Sequence, residues 1–214
     1  MDTNFRDSSP TKESVSSWFS KGTDICNFDG TVYSSEETRH FVPTAAVAND
    51  EAGKNIEIAR EWMETMNTCP RDNSSIRLIN GFFQSKGTKM IMEDGEVYTA
   101  DEGNKMLAVT FQSFPDFTLT WGEISTIDGN PNKVVIHDVV AAGTFTGKPY
   151  TILPGVLPAL MPTGKRNVND KQRFELTIKN GKITLFEVYA LGVHTGFAGF
   201  YVRAGGSLIP IQRI

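Results

Sequence analysis

The second half of this 214-residue chain contains long β-rich segments joined by turn signals, and this feature constrains the fold most strongly. FTLTWGEISTI at 117–127 and KVVIHDVVAAGTFTG at 133–147 are separated by a stretch containing Asp-Gly-Asn-Pro. QRFELTIK at 172–179 and KITLFEVYA at 182–190 are separated by Asn-Gly. β-branched and aromatic residues favour strands, and Asn-Gly favours the tight turn of a hairpin. The sequence therefore predicts two antiparallel pairs of strands.

The residues before these strands carry helical periodicity. Apolar side chains at intervals of three and four predict a helix that ends before Pro70 and a second helix capped by Asp72 or Asn73. A third helix is predicted after Thr99, because Thr99 and Glu102 have the spacing of a capping box. The three apolar stripes consist of Ile56, Ala59, Met63 and Met66; of Ile76, Ile79 and Phe83; and of Gly103, Leu107, Phe111 and Phe114.

The order of these segments predicts the fold class. Between the second and third helices, residues 89–99 alternate around Asp94-Gly95, which predicts two short strands in a hairpin. Helices followed by a curved antiparallel sheet indicate an α+β domain with the helices against one face. We assign this domain to residues 51–214. Residues 1–50 are rich in Ser, Thr, Asp and Glu without a sustained period, which predicts an irregular N-terminal extension.

Charge and composition exclude several function classes. The net charge is −4 and the basic residues are not clustered, so nucleic acid is not an expected partner. No apolar stretch reaches the length of a membrane span, and the N-terminus lacks the apolar core of a secretory signal. We therefore expect a cytoplasmic or organelle-interior protein that is not secreted. The two cysteines, Cys26 and Cys69, are too few for a disulfide framework.

The last β-rich segment is apolar on both faces. Ile183, Leu185, Tyr189 and Leu191 have one parity, and Phe186, Val188 and Ala190 have the other. A sheet with one solvated face alternates apolar and polar residues, so this pattern indicates a second cover. We interpret that cover as the partner subunit of a homodimer.

Four short motifs carry a resemblance to a known family. FPDF at 114–117, GTFTG at 143–147, PTGKR at 162–166 and NGKI at 180–183 occur in the order seen in the SnoaL-like polyketide cyclase branch of the nuclear transport factor 2-like superfamily. The resemblance covers about residues 50 to 200. It implies a cone-shaped α+β barrel of three N-terminal helices packed on a curved, mainly antiparallel sheet. It also implies an apolar pocket and, usually, a homodimer.

The chain departs from the family pattern at two functional positions and contains one insertion. Phe145 replaces the histidine of the family's G-T-H-x-G motif, and Tyr189, Ala190 and Leu191 occupy the stretch that carries an acidic residue in the cyclases. The insertion, residues 151–161, is apolar and interrupted by prolines, so we predict a loop that closes over or narrows the mouth of the pocket.

The replacement candidates for proton transfer lie on the predicted strands. Glu187 and Tyr189 share one strand face, so Glu187 is the candidate base and Tyr189 the candidate donor to a developing oxyanion. The alternative is an ion pair of Glu187 at the subunit interface, with Tyr189 in the core. His137 is a third candidate, although it also fits a hydrogen-bonded histidine within the sheet.

The expected substrate-binding residues are mostly aromatic: Trp62, Trp121, Glu123, Phe145 and Tyr150. No metal site is expected, because the histidines are far apart in sequence, and no cofactor is expected, because no phosphate-binding or dinucleotide motif occurs. Two hypotheses remain. The protein either binds a small hydrophobic molecule and acts as a cofactor-independent cyclase, isomerase or dehydratase, or it is a non-catalytic ligand-binding or assembly domain of the same fold. Whether it is an enzyme is left open at this point.

Overall fold

The computed structural model describes residues 51–127 and 129–208. The predicted extension over residues 1–50 lies outside the described residues, so the proposed division of the chain at residue 50 stays a prediction. The first helix, α1, spans Glu51–Thr68 and buries the face that carries Asn55, Ala59, Trp62, Met63 and Met66. Arg71 follows this helix, and its guanidinium donates hydrogen bonds to the carbonyl oxygens of Met66, Asn67 and Phe117. It thereby satisfies carbonyls that the end of the helix leaves free.

Two further helices flank a short hairpin. Helix α2 spans Ser74–Asn80, and the hairpin strands are β1, Lys89–Ile91, and β2, Val97–Thr99. Helix α3 spans Ala100–Ser113, and the predicted capping box is confirmed, because Thr99 and Glu102 each bond to the other's backbone N–H. Strand β1 pairs antiparallel with β2 and parallel with the last strand of the sheet, so the hairpin extends the edge of that sheet.

The remaining strands form the main sheet. They are β3, Thr118–Thr120; β4, Ile124–Ile127; β5, Asn130–Thr144; β6, Arg166–Val168; β7, Gln172–Lys179; and β8, Lys182–Ala190. The order is β2-β1-β8-β7-β5-β3, with β4 and β6 also paired to β5. The predicted pairing of 172–179 with 182–190 is confirmed as β7 and β8. The segment 117–127 forms two strands, β3 and β4, and both pair antiparallel with β5.

Strand β5 bends sharply in its middle. Asp138 has a φ of 52°, and the pairing with β7 shifts register between Ile136 and Val139. Such an irregularity bends a strand and increases its twist. The first half of β5 therefore pairs with β4 and β7, and the second half with β3 and β6. The sheet curls, and the chain is a mixed α+β domain as the sequence indicated.

The two faces of β8 differ from the predicted ones. Ile183 pairs with Ile178, whereas Leu185 pairs with Thr177, because the register shifts at this point. This shift places Ile183 on the buried inner face with Phe186 and Val188. The assignment of Ile183 to the face of Leu185 and Tyr189 was therefore wrong. The outer face of β8 carries Leu185, Glu187 and Tyr189 and is mixed in polarity.

The chain after β5 contains the proline-rich insertion and a final helix. Tyr150 and Leu160 form an isolated bridge, and the residues between them contain no strand. The last helix, α4, spans Gly196–Arg203, and Tyr201 in it donates a 2.8 Å hydrogen bond to the carbonyl of Pro158. The insertion thus packs on α4. Among the residues that the structure describes, no helix has the length and apolarity needed to cross a bilayer.

Candidate functional site

A cavity of about 80 Å³ lies between the helices and the inner face of the curled sheet. This volume exceeds the space that one water molecule needs. Eighteen of the described residues line it, contributed by α1, α3, α4, the β1–β2 hairpin and strands of the sheet. They are Trp62, Met66, Met90, Met92, Gly103, Asn104, Leu107, Thr110, Phe117, Leu119, Ala141, Gln172, Phe174, Phe186, Val188, Gly196, Phe197 and Phe200.

Packed aromatic rings hold the wall of the cavity. The indole of Trp62 lies 5.4 Å from the ring of Phe186 and 6.1 Å from that of Phe174, measured between centroids. Both phenylalanines point inward from the sheet, because they alternate with outward residues along their strands. Gly103 lets α3 approach the hairpin, since a Cβ at this position would lie 2.2 Å from Sδ of Met90. The apolar wall is therefore fixed by contacts between separate elements.

Few polar side chains reach the cavity, and most of them are engaged. Asn104 donates to Oδ1 of Asn80, and Thr110 donates to the carbonyl of Met106. Oε1 of Gln172 accepts a hydrogen bond of 3.2 Å from the backbone N–H of Gly196. The exception is Nε1 of Trp62, which is buried and has no partner among the described residues. A buried donor without a partner is costly unless a ligand or water accepts its hydrogen bond.

A second buried polar atom without a partner adjoins the cavity. Glu93 lies in the β1–β2 turn, next to Met92, which lines the cavity. Its carboxyl contacts Gly196 at the start of α4, where an added Cβ would lie 2.0 Å from Oε1. Its Oε2 is buried and accepts no hydrogen bond from the described residues. Burial raises the pKa of Glu93 to about 7. A hydrogen bond from its own backbone N–H acts against this rise, and the neighbouring charge of Asp94 adds to it.

Tyr150 forms a polar contact behind the wall. Its hydroxyl lies 3.3 Å from Oγ1 of Thr110 and 3.4 Å from the carbonyl oxygen of Phe197. Burial raises the pKa of this phenol, and the negative charge of Glu93 adds to the effect. The Tyr150 hydroxyl is therefore a neutral group that holds Thr110 and α4 together.

The predicted substrate-binding residues are distributed over three places. Trp62 lines the cavity. Phe145 and Tyr150 are fully buried behind it, with ring centroids 5.0 Å and 5.1 Å from that of Phe114. Trp121 and Glu123 lie between β3 and β4, where Trp121 is half-buried and Glu123 is exposed. Neither of these two lines the cavity.

The predicted catalytic pair comes together on the outer face of the sheet. The hydroxyl of Tyr189 donates to Oε1 of Glu187 over 3.2 Å, and Nζ of Lys133 lies 3.3 Å from Oε2 of Glu187. Phe186 and Val188 flank Glu187 and line the cavity, so the Glu187 side chain points away from it.

His137, the third candidate, is half-buried at the bend of β5. Its Nε2 lies 3.4 Å from Oγ of Ser125. His137 does not line the cavity. Within residues 51–127 and 129–208, no group of three or more His, Cys, Asp or Glu side chains is placed to hold a metal ion.

Two parts of the site were not predicted from the sequence. The first is α4, which supplies Gly196, Phe197 and Phe200 to the cavity wall. The second is Glu93, although the Asp94-Gly95 turn beside it was recognised. An acidic residue directly before a turn of this kind is usually solvated. Its burial depends on α4, which lies about a hundred residues further along the chain.

The comparisons with known proteins give matches in structure only. No family model matches the sequence, and no curated protein matches it. AclR from Streptomyces galilaeus, provisionally described as a hydroxylase, is 18% identical with a TM-score of 0.53, and the match covers 72% of this chain and 82% of AclR. Likeness at this level of identity shows the fold alone.

Two further structures are similar over slightly shorter stretches. A protein from Jannaschia sp. CCS1, provisionally described as a SnoaL-like polyketide cyclase, is 14% identical with a TM-score of 0.49, covering 64% of this chain and 84% of its own. An LEH-like epoxide hydrolase from M. tuberculosis is 11% identical with a TM-score of 0.45, covering 65% of this chain and 84% of its own.

Proposed function

We propose that this chain is a SnoaL-like protein of the nuclear transport factor 2-like superfamily and that its cavity binds a small, mainly apolar organic molecule. The observation that carries the proposal is the cavity wall. Within the described part of the chain, only Asn104, Thr110, Gln172 and the indole of Trp62 bring polar side-chain atoms to it. Pockets for small molecules typically combine such an apolar lining with a few polar groups.

We place this cavity in a cone-shaped barrel, in which the predicted helices close the curled sheet. Helices α1 and α3 supply Trp62, Met66 and Leu107, and the sheet supplies the opposite wall with Phe174 and Phe186. Fold does not determine the reaction, so the activity has to come from particular groups at the site. We propose cofactor-independent proton transfer, as in a cyclisation, isomerisation or dehydration. A non-catalytic container for the same ligand is the alternative.

Filling the cavity tests the binding function. Ala141 is 4% exposed and lines the cavity from β5, so the larger side chain of Ala141→Leu occupies the space a ligand needs. We expect saturation-transfer NMR to detect binding of benzene and cyclohexanone to the unmodified chain. We expect at least tenfold weaker binding to the variant.

The matched control is Ala190→Leu, which adds the same group at an exposed position at the end of β8. This variant should bind both probes as the unmodified chain does. If neither probe binds the unmodified chain, or if Ala141→Leu binds them equally well, the proposed function is wrong.

We also propose that the chain forms a homodimer through the outer face of the sheet. Leu185 is half-buried there and Tyr189 is 36% exposed, beside the side chains of Lys133, Arg173 and Glu187. Mixed charges and an exposed aromatic ring suit a self-complementary contact between two copies. Light scattering at micromolar concentration should give the mass of two chains, and a monomer would contradict this proposal.

The predicted roles of Glu187, Tyr189 and His137 in catalysis stay predictions. Because these side chains lie outside the cavity lining, they can act only on a ligand that reaches the outer face of the sheet. The proposed binding function does not depend on them.

A further inference from the structure

We propose that Glu93 is the group that exchanges a proton with the bound ligand, and that the ligand is a small carbonyl compound whose oxygen accepts a hydrogen bond from Nε1 of Trp62. This inference rests on the proposed function, since it assigns the chemistry of the same cavity. The two groups are the unsatisfied polar atoms that lie in or beside the cavity wall within the described residues.

The position of Glu93 is built by contacts from two elements. The β1–β2 turn is closed by a 2.9 Å hydrogen bond from the N–H of Gly95 to the carbonyl of Met92. On the other side, Gly196 begins α4 with a φ of 57° and no side chain, which leaves room for the carboxyl. The left-handed conformation favours glycine at this position. The carboxyl is thus enclosed between the turn and the helix, next to two residues that line the cavity, Met92 and Gly196.

The charges around Glu93 leave it uncompensated. The titratable groups that interact with it are Asp94 in the same turn, Tyr98 on β2 and Tyr150 on the loop after β5. Among the described residues, none of the ion pairs includes Glu93. Burial without a cation raises the pKa of Glu93 to about 7, so it can both accept and return a proton near neutral pH.

Trp62 supplies the complementary group. Its indole N–H is a donor only, and the residue is 2% exposed. A ligand that satisfies this N–H must carry a hydrogen-bond acceptor, and a purely apolar ligand does not. A carbonyl oxygen meets this need and also acidifies the neighbouring C–H group.

The proposed step balances without a cofactor. The Glu93 carboxylate takes a proton from the carbon next to the carbonyl, and the electrons of the broken C–H bond form the C=C bond of an enolate. The negative charge moves to the oxygen, where the Trp62 N–H stabilises it. The neutral carboxyl then returns a proton to carbon, and the carbonyl forms again. Nothing is oxidised or reduced.

The test is hydrogen–deuterium exchange at the α-carbon of cyclohexanone in D₂O, followed by NMR after subtraction of the buffer rate. We expect the unmodified chain to accelerate exchange at least tenfold, with a rate that rises with pH to a plateau above about pH 7, since the ionised carboxylate is the base. Glu93→Gln should reduce exchange to the buffer rate, and Trp62→Phe should reduce it about tenfold. Glu61→Gln, the same change at an exposed position of α1, should have no effect.

Binding of cyclohexanone, measured in parallel, separates the two proposals. If neither cyclohexanone nor benzene binds the unmodified chain, the proposed function is overturned. If benzene binds and cyclohexanone does not, this inference alone is overturned. Three outcomes with binding retained overturn this inference alone. These are no catalysed exchange by the unmodified chain, exchange by Glu93→Gln at the same rate as by the unmodified chain, and loss of exchange in Glu187→Gln but not in Glu93→Gln. If Glu93→Gln does not fold, the pH profile of the unmodified chain decides, and a flat profile overturns the inference.

Discussion

Glu93 and Glu175 are two glutamates with buried carboxyl oxygens on one domain, and they differ in what surrounds them. Glu175 lies on the outer face of the sheet with 8% of its side chain exposed, and it is paired with Lys133 at 2.6 Å and Arg173 at 2.8 Å. Glu93 lies at the inner side, between a turn and α4, without a cation among the described residues.

The difference separates a structural carboxylate from a candidate functional one. A buried carboxylate costs free energy unless cations or hydrogen bonds compensate it. On the outer face, two cations supply that compensation, and one of them, Lys133, joins β5 to β7. At Glu93 the cost remains, and it appears as a pKa raised to about 7. A group retained at such a cost is a candidate for chemistry at the site.

The largest expected effect concerns the stability cost of Glu93. Its pKa is raised from 4.5 to about 7, so the folded chain binds a proton that the unfolded chain releases between these values. Stability therefore falls as pH rises from about 4.5 to 7 and the loss is complete above 7, by about 3 kcal/mol at most. Glu93→Gln removes this titration. Urea unfolding at pH 5 and pH 8.5 should show the variant gaining stability over the unmodified chain at the higher pH.

If the free energies of unfolding of the two proteins differ by the same amount at both pH values, the contrast drawn between Glu93 and Glu175 is wrong. This result would mean that Glu93 is solvated in the folded chain and titrates as a surface glutamate does.

The second expected effect has the opposite sign and concerns Glu175. Glu175→Gln leaves Lys133 and Arg173 without their shared carboxylate, although Lys133 keeps Glu187 at 3.3 Å. Removing one partner of a buried pair is destabilising, and because the two cations are partly exposed we expect a loss of about 2 kcal/mol. Urea unfolding at pH 7 measures it.

The matched control for this change is Asp138→Asn. It removes the exposed pair of Asp138 with Lys171, which are 3.2 Å apart, and asparagine tolerates the positive φ at this position. The loss should stay below about 0.5 kcal/mol. Equal losses of stability in the two variants would show that the buried ion pairs of Glu175 stabilise the fold no more than an exposed ion pair does.

Local signals made part of this architecture predictable from the sequence. The capping box at Thr99 and Glu102 marks the start of α3, and the Asn-Gly pair marks the turn between β7 and β8. Each signal acts within a few residues. The fold class followed from their order along the chain.

Long-range packing decided what the sequence did not reveal. Helix α4 has no side-chain cap at Thr195 and is apolar on most sides, so its sequence lacks the usual signs of a helix. The face of β8 on which Ile183 lies depends on a one-residue irregularity in the pairing of β7 with β8. The burial of Glu93 depends on both the hairpin and α4. Aromatic character alone did not decide which residues line the cavity. Trp62 lines it, whereas Trp121, Phe145 and Tyr150 have the same character and lie outside the lining.

The bend of β5 at Asp138 has a consequence for how the domain unfolds. One strand holds β4 and β7 with its first half and β3 and β6 with its second half, so none of these four strands leaves the sheet without breaking its hydrogen bonds to β5. Amide hydrogens on both halves of β5 should then become accessible in one cooperative event. The parts of the cavity wall on β3, β5 and β7 accordingly persist together or are lost together.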